Sequence, residues 1–138
     1  MQLQREEEMI EKLMVFSGGG LLCFFEFQED KLFAMTSWDE GVSLYAMRVL
    51  AMLMRKSQEE GKKALTHKNW VIYIADSNPY ILVAKIKSRR YSPSTLGMLR
   101  KLSLFISDVP ESVPLVVKRI IRFLREKQKM RIEKIYVV

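Results

Sequence analysis

Residues 37–61, SWDEGVSLYAMRVLAMLMRKSQEEG, constrain this chain more than any other stretch, because they spell a bounded helix with unusually wide apolar cover. Ser37 with Glu40 three residues on forms a capping box, Asp39 adds negative charge at the positive end of the helix dipole, and Gly61 supplies the stop. Across residues 41–54, 11 of the 14 are apolar, and the polar Arg48 and Arg55 line up with Glu59 on one narrow stripe. A surface helix needs one apolar stripe. A sheet beneath takes one flank, and the other flank is left for more of this chain or for a second copy.

The rest of the chain supplies that sheet. Leu3, Met9, Ile10, Leu13, Met14 and Phe16 fall on one side of a helical wheel, with Glu7, Glu8, Glu11 and Lys12 on the other, so a first amphipathic helix is expected over residues 3–16. Ser17-Gly18-Gly19-Gly20 ends it as a flexible connection into an aromatic-rich strand at 21–27. Gln28-Glu29-Asp30 turns into a second strand at 31–36. After Gly61 come strands at 63–67, 70–75 and 80–87, the last two separated by the turn Asp76-Ser77-Asn78-Pro79. Trp70, Ile72 and Ile74 alternate with Val71, Tyr73 and Ala75, so both sides of that strand are apolar. Such a sheet is covered on both faces, by helices or by a neighbour. Ser92 and Pro93 open a helix with Met98, Leu99, Leu102, Phe105 and Ile106 on one face. A last helix, over 113–129, sets Val113, Val116, Val117, Ile120 and Leu124 against an opposite basic face. Asp108 to Pro114 is the natural linker, giving a domain at 1–108 and a basic amphipathic helix with its tail at 109–138.

The order helix, hairpin, long helix, three strands, helix resembles the roadblock family of dynein light-chain-like proteins over roughly residues 3–107. The most telling residues are Ser94-Thr95-Leu96-Gly97-Met98-Leu99-Arg100-Lys101-Leu102, which look like that family's last-helix pattern. A glycine inside a helix costs about 1 kcal/mol relative to alanine, so close backbone packing is the natural explanation of Gly97. The resemblance implies an α/β (α+β) fold of order α-β-β-α-β-β-β-α. Its five-stranded antiparallel sheet would carry the second helix on one face and the first and last on the other. It implies a homodimer formed through the second helix and third strand, acting as a non-catalytic scaffold for a Ras-like small GTPase. Tyr45, Val49, Leu50, Leu53, Met54 and Leu65 would then form the dimer or partner interface. Longin and profilin-like folds share similar elements. Longin domains usually begin with a strand, however, and profilins lack this long central helix, so the roadblock order is preferred.

Catalytic groups are sparse. His67 is the one histidine and Cys23 the one cysteine, which leaves no Ser/His/Asp triad, no disulfide framework and no cysteine zinc cluster. Gly18-Gly19-Gly20 precedes a strand and lacks a following Gly-Lys-Ser/Thr, so it is no phosphate cradle. Capping accounts for Asp39 and Glu40, and a hairpin turn for Glu29 and Asp30. No enzyme activity, metal or cofactor is expected. No apolar run reaches the 18 or so residues of a membrane span, Glu6-Glu7-Glu8 is opposite in sign to a signal peptide's start, and the lone cysteine suits a reducing compartment, so a cytoplasmic location is expected.

The net charge of +7 is concentrated. Residues 85–101 hold six Lys and Arg with no acid, and residues 118–138 hold eight against Glu126 and Glu133. Lys85, Lys87, Arg89 and Arg90, with Tyr91 beside them, and Lys118, Arg119, Arg122 and Arg125 make a candidate basic patch. The alternative function is therefore a module binding nucleic acid or an anionic membrane surface. The plainer reading of the last helix is that its Val/Ile face packs on the domain while its cations are solvated.

Overall fold

Leu13, Met14, Val15 and Phe16 are four consecutive side chains with no exposed surface. A strand at the centre of a sheet achieves this by sending alternate residues to two covered faces. They belong to β1 (Ile10–Ser17), so the helix expected over 3–16 is corrected to a strand from Ile10 onward. In this computed structural model the described residues are 9–29, 31–36, 39–88, 92–108, 112–130 and 132; residues 3–8 of the expected helix lie outside them. The glycines that follow are a tight hairpin turn rather than a flexible connection. Ser17 pairs with Gly20, and Gly18 and Gly19 take φ of 61° and 83°, the left-handed region a two-residue turn requires.

After β1 come β2 (Gly20–Gln28), β3 (Lys31–Thr36), α1 (Glu40–Glu60), β4 (Ala64–His67), β5 (Trp70–Ile74), β6 (Tyr80–Ile86), α2 (Ser92–Ile106) and α3 (Val113–Glu126). The architecture is mixed α/β, with one antiparallel sheet of six strands in the order β3-β2-β1-β6-β5-β4. The expected five strands and the expected order with a leading helix are both replaced. The first described element is a strand, which is the feature that had set longin domains apart.

Two three-stranded meanders thus join edge to edge through β1 and β6, and α1 must carry the chain from β3 at one edge to β4 at the other. Six strands are about 24 Å across, and the 21 residues of α1 extend about 31 Å. The length of the central helix is therefore the length of the crossing. Its start is set by Asp39, whose carboxylate accepts the Val42 N–H at 3.0 Å; Ser37, the expected member of a capping box, lies outside the described residues. Its end is Gly61, at φ 64°, whose N–H and that of Lys62 return to carbonyls of the last turn.

The two faces have separate cores. Met14, Phe16, Phe24, Leu65, Ile72 and Val83 meet Ala46, Val49, Leu50 and Leu53 of α1. On the other face Leu13, Val15, Phe25, Val71, Leu82 and Ala84 meet Leu99, Leu102 and Ile106 of α2 and Val116, Ile120, Phe123 and Leu124 of α3. Both faces are covered by helices of the same chain, and α3 shares the core of the segment before residue 109. Asn78 fixes α2 to the β5–β6 turn by donating to the Ser103 carbonyl at 2.6 Å.

Candidate interaction surfaces

The sheet selects which stripe of α1 goes inside. Leu53 has no exposed surface, Val49 and Leu50 almost none, and Leu65 on β4 is covered beneath the helix, so four of the six expected interface residues are core residues of this chain. Met54 is half-buried against the same cluster. Tyr45 alone of the six is exposed. The surface that remains runs along 44, 47, 48, 51 and 55, one helical face: Leu44 is 58% exposed and Met47 38%, with Ala51 between them and the exposed Arg48 and Arg55 alongside. The solvent stripe of Arg48, Arg55 and Glu59 is where the sequence set it, but its apolar neighbours are Leu44 and Met47 rather than Val49 and Leu53.

Tyr45 sits at the border between this stripe and the sheet. Its ring is 6.1 Å from that of Trp70, the Lys12 ammonium is 5.0 Å from its centroid, and the Lys85 ammonium lies 5.9 Å from the Trp70 ring. Desolvation first, and the Glu26 carboxylate second, raise the Tyr45 phenol above its ordinary range. The alternation of cations and rings seals the edge of the α1 core where long polar side chains replace aliphatic ones.

The expected basic patch divides. Lys85 pairs with Trp70 and Lys12 across the ladders, which puts it on the α1 face, and its ammonium lies 3.8 Å from Glu11. Lys87 is exposed just beyond the strand, its N–H donating to the Met9 carbonyl; Arg89, Arg90 and Tyr91 lie outside the described residues. Lys118, Arg122 and Arg125 are exposed on α3, across the sheet from Lys85. Arg119 is half-buried and donates to the Asp108 carbonyl at 3.0 Å, and Arg125 donates to the Ile132 carbonyl at 2.6 Å. Both therefore have structural partners, while Arg122 lies 4.9 Å over the Phe105 ring.

Cys23 is enclosed in the core shared with α2 and α3, and burial pushes its thiol far above the ordinary range. His67 ends β4 opposite Trp70. Among the described residues no three His, Cys, Asp or Glu side chains gather as metal ligands, and no helix is long and apolar enough to cross a membrane. No protein-family model matches the chain, and a search of curated proteins finds no match.

Proposed function

We propose that this protein is a non-catalytic interaction scaffold that self-associates through the outer stripe of α1, with a Ras-like small GTPase as the partner class to examine first. The observation that carries the reading is the exposure of Leu44 and Met47 on a helix whose inner stripe is already satisfied by the sheet. A symmetric contact between two such stripes would make every contact twice, once from each copy, and full burial of a leucine or methionine contributes about 1.5–3 kcal/mol. The GTPase partner is supported by the roadblock resemblance alone. The nucleic-acid or anionic-surface alternative draws on α3, since Lys85 is on the far face.

The mass in solution tests the reading. The parent chain is expected to be dimeric at micromolar concentration, with a melting temperature that rises with protein concentration, and Leu44→Glu with Met47→Glu to give a folded monomer whose melting temperature no longer depends on concentration. A parent that stays monomeric at high concentration, or a double variant that stays dimeric, removes α1 from any such contact. Leu53→Arg is not a test of the interface: it places a charge in a fully enclosed site and is expected to unfold the chain.

A further inference from the structure

The outer sides of α2 and α3 meet in a groove of about 490 Å³ lined by Lys101, Leu104, Phe105, Phe123, Lys127 and Gln128. Its floor is aromatic: the Phe105 and Phe123 rings are 5.7 Å apart at 54°. Leu104 stands at its wall with 69% of its surface exposed, the most exposed large apolar side chain among the described residues. Arg122, stacked on Phe105, also lines a second depression on α3 with Lys118, Ile121, Arg125 and the acidic Glu126. No acidic residue lines the groove.

Among the described residues the cations of the groove form no ion pair. Lys56, Lys62, Lys63 and Lys85, all elsewhere on the molecule, have carboxylate partners within 4.0 Å, whereas Lys101, Lys118, Arg122 and Lys127 have none among the described residues. An apolar hollow rimmed by unpaired cations favours a ligand that brings a bulky apolar side chain and carboxylates together. A flat bilayer gains little from a concavity, and a phosphate backbone has no use for the Leu104 wall.

We propose that the α2–α3 groove docks an acidic peptide segment of a partner protein. An aromatic or leucine side chain of that segment rests on Phe105 and Phe123, and its carboxylates face Lys101 and Lys127. The site is on the opposite face of the sheet from the α1 stripe and stands or falls independently of it.

Selection of a phage-displayed library of random dodecapeptides on the immobilised 138-residue chain tests this. Enriched sequences are expected to carry Phe, Trp or Leu within a run of Asp and Glu. The synthesised peptides should bind the Lys101→Glu, Lys127→Glu double variant about tenfold or more weakly, and Leu104→Asp should weaken them without moving the melting temperature. They should bind the Leu44→Glu, Met47→Glu variant as they bind the parent. Failure to enrich any sequence, enrichment of sequences without carboxylates, or unchanged binding by the charge-reversed variant overturns the proposal. So does preferential binding to phosphatidylserine vesicles with loss of peptide binding in their presence, which would assign these cations to a membrane surface.

Discussion

An alanine methyl placed at Gly97 meets no atom within 4 Å beyond the local helix backbone, so close packing does not account for this glycine. The glycine within the Ser94–Leu102 stretch that carries the roadblock resemblance is thus free of the constraint supposed to explain it. Gly97→Ala should raise stability by up to about 1 kcal/mol through helix propensity, read as a shift in the urea midpoint at constant slope. Cys23 makes the opposite kind of prediction. Its folded-state thiol is held neutral by burial, while the unfolded thiol ionises above about pH 8.5. A raised folded value means that its contribution is fully present below that pH and is lost as pH rises. Between pH 7.5 and 9.5 the parent should lose about 1 kcal/mol or more that Cys23→Ala does not lose. Tyr45 and Tyr80 are also raised, but their unfolded phenols ionise near pH 10, so this window isolates the thiol.

At the scale of elements, a central strand and a buried helix look alike in sequence. In β1 the run Leu13-Met14-Val15-Phe16 has no period of two because both faces are covered, and Glu11 and Lys12 happened to fall on one side of a helical wheel. The legible signal was Gly18-Gly19 between two apolar runs, a two-residue hairpin signature. By contrast β5 and β6, α2 and the Gly61 stop were readable because turn residues bound each of them. The site was less legible than the fold. Apolar residues circle most of α1, and which of them face inward depends on how the helix settles on the sheet, a tertiary fact that composition does not contain. The α2–α3 groove was invisible for the same reason: Leu104 and Phe105 are neighbours in sequence, yet its floor needs Phe123 from the next helix. That next helix is no appendage. Ile120 is fully enclosed, so Ile120→Ala should cost about 2–5 kcal/mol and lower the single unfolding transition of the whole chain, whereas a separately docked tail would leave the main transition in place.

Across the whole molecule, the sheet consists of two local meanders and one long-range seam. Every ladder within β1–β2–β3 and within β4–β5–β6 joins strands adjacent in sequence, while β1 and β6 meet across the middle, with Leu13 opposite Ala84 and Val15 opposite Leu82. The seam therefore has a birth date during synthesis. At about 5–20 residues per second, β1 is made some 4–14 s before its partner strand β6. During that interval β1 is an open, apolar template of the kind that pairs with other chains. A nascent chain of this protein is most in need of a chaperone after α1 has left the ribosome and before β6 has, and Leu13 and Val15, later hidden under α2 and α3, are the side chains it would hold.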